Sequence, residues 1–591
     1  MGVLRAPVRF HVGWLWMLWL VFSSQPLFAL VLPPPATNGC LVSWGNISLP
    51  YVPAGTTFNT IVPGRDYCLA IESGTGKAIG WGHNDQGQAS IPAGTNYAVG
   101  VATGASCSLI LTLDGSIVLY GNTNAPQANF SGSINEPMAL VSGANHALAI
   151  NWDGTVAAWG DDAYGQIDVP AGLANVNAIA AGRFFSVALV SGGTVVVWGD
   201  NEGGQTNVPA AIQGSVTAVA AGDSHCLALD SSGNVTAWGD DTYGQIDVPA
   251  GLTNVVAIAA GENHSVALTG DGEVVAWGDD SEGQIDVPAG LSLAGVYSIV
   301  AGGNVNIATM YDGSLISWGS GRYGQTVMPS ELNHITSIAG QWSEHDEGIA
   351  MALRNDGTIF SWGNNDAGQL TVTATNAVAL AAGKNFSLAL LSDGTVAGYG
   401  DDTFGQLGDL VDLTNAIAIA AGGSHALAVL DDGTVFAWGD NSDGEAEVPD
   451  SASNVLSVAA GFSHCLALTT NGTVLGWGYN GSGQVTVPAG ITNATAIAAG
   501  AFHSIALLGN GSVLAWGDDT YGQTDVPAGI TNAVAISASG NHSLALLGNG
   551  SVVGWGNNGA GETSPPVTIT NAISISAGGG AVGNWSVAIV P

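Results

Sequence analysis

The sequence predicts an all-β protein built from radially arranged repeats, and three observations predict it. A phrase of about 39 residues recurs along nearly the whole chain. Only 9% of the residues are charged while Gly supplies 87 of 591, so the long charged side chains that cover helix surfaces are missing. Runs rich in Val, Thr and Trp alternate with Gly, Asn and Asp turns, the pattern of short strands.

Taken in order, the chain begins with a targeting segment. Arg5 and Arg9 precede the apolar run VGWLWMLWLVF (12–22), and Ala29 offers a small residue for cleavage. Residues 1–29 therefore read as a secretory signal peptide, with an uncleaved anchor as the alternative. The expected location is secreted, extracellular or cell-surface. No second long apolar segment follows, so no membrane span is expected in the mature chain.

The repeat is marked by an aromatic–Gly dipeptide, at Trp44, Trp81, Tyr120, Trp159, Trp198, Trp238, Trp277, Trp318, Trp362, Tyr399, Trp438, Trp477, Trp516 and Trp555. The spacing stays between 37 and 44 residues through fourteen copies. One clean copy, 254–290, divides into four extended pieces. VAIAAG is a strand of small residues, HSVAL alternates, and GDG turns the chain into EVVAWG. QIDVP is expected to be a short outer strand, ended by a Pro that cannot donate to a ladder. Four short strands in such a unit make the blade of a β-propeller. Small residues suit the innermost strand, which crowds the axis, and Trp suits the wider gap between blades.

Fourteen copies divide as seven plus seven. WGDDTYGQIDVPAGLTN (238–254) returns almost unchanged as WGDDTYGQTDVPAGITN (516–532), seven copies later, and the two Tyr replacements at Tyr120 and Tyr399 are also seven copies apart. The expected fold is two tandem seven-bladed β-propellers, 55–332 and 333–591, with one large ring as the alternative. Residues 30–54 are expected to hold a linker and strands that close the second propeller. The reason is that LVSWGN (41–46) is the second half of a unit, and ISISAGGGAVGNWSVAIV (573–590) is the first half of one.

The phrase AAGxxHSxAL…DGxVxAWGxNxxGQ, seen with substitutions at 180–205, 220–245, 259–284, 420–445, 459–484, 498–523 and 537–562, resembles the regulator of chromosome condensation repeat family. The resemblance implies seven-bladed propellers. Within that family, the compact repeat and the run WGDDxxGQxxVPA are most similar to the secreted propeller-type beta-lactamase inhibitory proteins, which have half as many units. The nuclear exchange factors of the family have longer repeats; the signal segment and acidity of this chain set it apart from them, so a guanine-nucleotide exchange role is disfavoured.

Charge narrows the partners further. Eight Lys and Arg face 46 Asp and Glu, a net charge of −38, so no basic patch for nucleic acid can be assembled. Five widely spaced cysteines do not make a disulfide framework, and Cys68, Cys226 and Cys465 stand where other copies carry small residues. Seven histidines share one repeat position: His146, His225, His264, His425, His464, His503 and His542. A polar group recurring at the start of a strand is expected to be a hydrogen-bonded structural contact rather than a metal ligand. The acid pairs of the turns, such as Asp161–Asp162, Asp240–Asp241 and Asp518–Asp519, are expected to cap their own backbone, and Gln166, Gln245 and their equivalents to close the same loop. No nucleophile elbow, phosphate-binding glycine loop or zinc signature appears, so neither enzyme activity nor a cofactor or metal site is expected.

Two variable pairs in each copy are left for recognition. One lies inside the WGDDxxGQ turn and holds Tyr164, Tyr243, Tyr323, Phe404 and Tyr521; the other follows AAG and holds Phe184, Phe462 and Phe502. Aromatics among carboxylates suit a protein interface. The chain is accordingly expected to bind a protein partner without catalysis, one version being inhibition of an extracellular enzyme. A carbohydrate or cell-surface ligand held by the same loops is the alternative.

Overall fold

The computed structural model describes residues 40–591 except 54, 93–94, 96, 129–133, 135, 290, 292–294, 328–331, 344–347, 409, 411–412, 568 and 581–583. The expected signal peptide lies outside the described residues. Those described form strands, with two short 3-10 turns at Pro126–Ala128 and Ala210–Ile212. None of their helices is long and apolar enough to cross a membrane.

Strands gather into small antiparallel sheets, one for each repeat. Blade 5 is typical. Its inner strand Val216–Ala221 pairs with His225–Asp230, whose interior is Cys-Leu-Ala-Leu, and that strand pairs in turn with Val235–Gly239. The middle strand is buried on both faces, as its unbroken apolar run requires. The inner strand shifts register by one residue between Val216 and Ala218, and the bulged Thr217 side chain bonds the Leu229 carbonyl at 3.1 Å.

Each inner strand packs beside those of its two neighbours, and these neighbours trace two closed circuits. The first runs through Phe58–Pro63, Ala98–Thr103, Pro137–Ser142, Val176–Ala181, Val216–Ala221, Val255–Ala260 and Val296–Gly302, which returns to Phe58–Pro63. These are blades 1 to 7. The second runs through Ile335–Ser343, Ala377–Ala382, Ala416–Ala421, Val455–Ala460, Ala494–Ala499, Ala533–Ser539 and Ser574–Gly580, which returns to Ile335–Ser343 through a parallel bridge. These are blades 8 to 14. Blade 14 is composite: Cys40–Gly45 pairs with Asn584–Val590 along its full length. Ile47–Ser48 instead adds to blade 1, so the chain crosses from one circuit to the other at Asn46.

Among the described residues the expected outer strand does not form within the repeat. The segment after each Gln folds on itself: the Asp247 N–H bonds the Gly244 carbonyl at 3.1 Å, Val248 N–H the Ile246 carbonyl at 2.9 Å, and Leu252 N–H the Pro249 carbonyl at 3.1 Å. Its donors are spent locally and Pro249 has none, so no ladder can form. The blades are therefore three-stranded, blade 1 alone gaining the two-residue strand at 47–48.

The tryptophans fill the gaps between blades. Trp238 is 6% exposed and donates from Nε1 to the Gln205 carbonyl of the preceding blade at 2.9 Å. Trp277, Trp438 and Trp516 repeat this bond to Gln245, Gln406 and Gln484. Trp81 to Gln325 at 3.0 Å and Trp44 to Glu562 at 2.9 Å are the same bond across the two closing seams. The glycine after each Trp is required: Gly239 has φ 116°, and a Cβ there would lie 2.6 Å from the Ser224 carbonyl oxygen.

Candidate functional site

Strand direction places the two variable pairs together. The inner strand ends and the third strand also ends on the same side of the blade, because the middle strand runs opposite to both. The turns after AAG and after WG therefore share one face, and the tight DG turns lie on the other.

On the loop face most of the polar groups are committed to structure. His225 is fully buried, and its Nε2 lies 3.0 Å from Ser265 Oγ of the next blade. Ser265 Oγ donates back to the Gln245 carbonyl at 2.8 Å. That direction makes Ser265 the acceptor from His225, so the ring carries its proton on Nε2. The His–Ser contact recurs as His146–Ser186, His464–Ser504, His503–Ser543 and His542–Ser586. Asn306 serves in the Ser position for His264 at 2.8 Å, and Cys465 for His425, with Sγ 3.2 Å from Nε2. Burial pushes the histidines down, to about 3 at His225, His464 and His542 and about 4 at His146, His425 and His503. They are neutral inter-blade pins. The glycine of AAG makes room for them: a Cβ on Gly222 would overlap the His225 ring.

The acid pairs are turn fasteners, as their recurrence suggested. Gln245 Nε2 donates to Asp240 at 2.8 Å, its Oε1 accepts the Tyr243 N–H at 2.8 Å, and Asp241 accepts the Ile246 N–H at 3.3 Å. The same three bonds recur around Gln166 and Gln523. Where Glu445 replaces the Gln, its carboxylate still accepts an N–H, from Asp443 at 2.9 Å, but it has no amide to offer Asp440. Burial and the Asp440 charge raise the Glu445 pKa.

These bonds hold out the aromatics. Tyr164, Tyr243, Phe404 and Tyr521 are between 46% and 54% exposed. Phe184 and Tyr164 stack at 5.0 Å, so the two variable positions of neighbouring loops meet. In the second circuit Phe462 and Phe502 lie 5.9 Å apart, Phe502 and Tyr479 6.2 Å apart, and Lys384 Nζ sits 5.5 Å over Phe462. Tyr323 departs from the expectation of exposure. It is half-buried, stacked on His83 at 4.3 Å and packed against the core that joins the circuits. Tyr479, 39% exposed, was not anticipated; its signal is an aromatic in place of the first acid of the turn.

The AAG loops also rim the axial channel of the first circuit, a cavity of about 470 Å³ walled by Ala, Gly, Val and Ile. Successive loops are linked by backbone bonds, Arg183 N–H to Asp223 O, Asp223 N–H to Glu262 O and Glu262 N–H to Gly303 O. Ion pairs Arg183–Asp223 at 3.8 Å and Arg65–Glu262 at 3.7 Å lie across the rim. Burial, then the Glu262 charge, raises Asp223 to about 6.

Two observations were not foreseen from the sequence. Four of the six Lys and Arg in the described residues, Arg65, Arg183, Arg322 and Lys384, occupy loop-face turns. Arg65, Asp66, His83, Arg322 and Tyr323 converge on one cavity. Their signal was present as deviation from the repeat at each position, which a search for recurrence passes over.

Eight stretches match the Regulator of chromosome condensation (RCC1) repeat: 176–205, 216–245, 255–284, 377–406, 416–445, 455–484, 494–523 and 533–562. None of the curated proteins compared matches this chain. Among solved structures it is similar to human WBSCR16 (16% identity, 43% of this chain and 86% of that one, TM-score 0.35). It is also similar to the ectodomain of the Arabidopsis thaliana receptor kinase ACR4 (22% identity, 41% and 90%, TM-score 0.35). Saccharomyces cerevisiae Prp20p, whose structure is described with its binding to Gsp1p and histones, shares 19% identity over 58% of this chain and 84% of its own, at a TM-score of 0.26.

Proposed function

We propose, from the premise that this chain carries RCC1 repeats, that it is a non-enzymatic interaction protein whose loop faces hold a protein partner. The observation that carries this reading is the division of labour on the loop face. The histidines, glutamines and acid pairs are used up in bonds between and within blades, while Tyr164, Tyr243, Phe404 and Tyr521 stand half-exposed among carboxylates. Half-exposed aromatics with a polar surround are what interfaces use as anchors.

The two closed circuits of inner strands favour tandem seven-bladed propellers over one fourteen-bladed ring. In that arrangement residues 55–332 and 333–591 form the two domains, Cys40–Gly45 completes the second and Ile47–Ser48 adds to the first. The basic, apolar N-terminal segment supports secretion. Inhibition of an extracellular enzyme is the specific version of the proposal; a stoichiometric loss of activity in a panel of secreted hydrolases is its test.

The general reading is tested by stoichiometric capture from an extracellular extract. Tyr243→Ala together with Tyr521→Ala is expected to reduce retention of the partner by about tenfold or more while leaving the thermal midpoint in place. Unchanged capture would sink it. Retention of glycan without protein would favour the alternative, a carbohydrate or cell-surface ligand on the same aromatic loops.

A further inference from the structure

On the loop face of the first circuit, the turns of blades 6, 7, 1 and 2 enclose a cavity of about 650 Å³, within the size range of small-ligand sites. Here the chain abandons its repeat. His83 stands where other copies have the first turn acid, as at Asp240. Arg322 stands in the place of Thr242, and Asp66 in that of Asn263. Unlike groups converging in one cavity mark a binding site better than any recurring residue does.

The two arginines of the site already have carboxylate partners, that of Arg322 lying outside the cavity lining. Arg65 pairs with Glu262 at 3.7 Å, Arg322 with Asp366 at 3.7 Å, and the His83 ring lies 3.5 Å from Asp85. An anionic ligand would have to displace one of these partners. Between the pairs lie neutral donors and acceptors, among them Gln86, Asn122 and Ser320. His83 and Tyr323 stack with ring centroids 4.3 Å apart and form an aromatic wall. Burial raises the Asp66 carboxyl, against the pull of His83 and Arg65, which leaves a desolvated acceptor in the same cavity.

We infer that this cavity binds a neutral saccharide. Hydroxyl groups both donate and accept, so they satisfy interleaved carboxylates, amides and guanidinium groups without bringing charge. The apolar face of a pyranose matches an aromatic wall. This site is independent of the protein-partner reading, which rests on Tyr243 and Tyr521.

The test uses the full chain with glucose, galactose, mannose, N-acetylglucosamine and their β-linked disaccharides at millimolar concentration, followed by saturation-transfer NMR and calorimetry. Glucuronate and inorganic phosphate are run beside them. A neutral sugar is expected to saturate a single site. The double variant His83→Asp, Arg322→Thr puts back the residues that other copies carry, so it retains the fold; it is expected to weaken binding by about tenfold or more at an unchanged thermal midpoint. Asp66→Asn, likewise a residue of the repeat, is expected to weaken it too. Binding of phosphate or glucuronate in preference to every neutral sugar would overturn the inference. So would the failure of all neutral sugars, or equal affinity in the double variant.

Discussion

Trp238 shows how much one side chain carries in this fold. It is buried between blades and bonded to the preceding one, so Trp238→Ala removes both apolar contact and a cross-blade hydrogen bond. A loss of about 3–5 kcal/mol is expected from denaturant midpoints, and the same from Trp516→Ala. The histidines make a second residue-scale prediction. Their folded pKa lies well below the unfolded value, so the unfolded chain binds more protons as the pH falls. Their contribution is complete above about pH 6.5 and is lost progressively down to the folded values, at roughly 1.4 kcal/mol per pH unit for each histidine. At about pH 5 that is roughly 2 kcal/mol for each of the six whose folded value lies near 3 or 4, partly offset by Asp223, whose raised pKa acts in the opposite sense. Urea midpoints measured from pH 7 downward check it. Blades 10 to 13, with His425, His464, His503 and His542, are expected to open before blades 3 to 6, with three such residues.

Within a turn, the Gln clamp is the element that fixes the loop. Glu445→Gln restores the amide that Asp440 lacks, so it is expected to raise the denaturant midpoint at neutral pH. The gain is expected to shrink as the pH falls and the buried carboxyl protonates. The sequence shows such elements clearly, because the same bond recurs at Gln166, Gln245 and Gln523 and each copy corroborates the others. The outer strand departs from expectation for a related reason. Ile246 and Val248 alternate with polar residues as a strand does, yet the N–H groups of Asp247 and Val248 turn back on their own segment, and alternation alone does not reveal that. The exposed aromatics were legible and their partners were not: Tyr164 meets Phe184 from the next blade, a contact that depends on how blades abut. Tyr323 obeys the same turn grammar as Tyr243 but faces His83, because its neighbour is blade 1 rather than an ordinary next copy.

At the scale of the molecule, one core cluster holds residues of both circuits, including Trp81 from blade 1, Trp362 from blade 8 and Trp585 from blade 14. Backbone bonds from Leu41 to Leu332 and from Asn84 to Asn46 cross the same region. Removing residues 584–591 strips the partner of Cys40–Gly45 and leaves the second circuit open. Proteolysis of that truncated chain is expected to spare 58–327 and digest the second circuit; equal survival of both would contradict the composite blade. The half-units at the two ends of the sequence foretold this pairing, but the crossing at Asn46 did not show, since Ile47–Ser48 is too short to carry a pattern.

The composite blade also orders events in time. Cys40–Gly45 leaves the ribosome more than five hundred residues ahead of the strand it pairs with. All the strands of the first circuit emerge in the interval. The early strand must therefore wait with its backbone unpaired, beside a neighbour that is already folded, until synthesis is nearly finished. The last seam to close is consequently a checkpoint on completeness: a chain released early keeps an open sheet edge, the feature that aggregation and quality control both recognise.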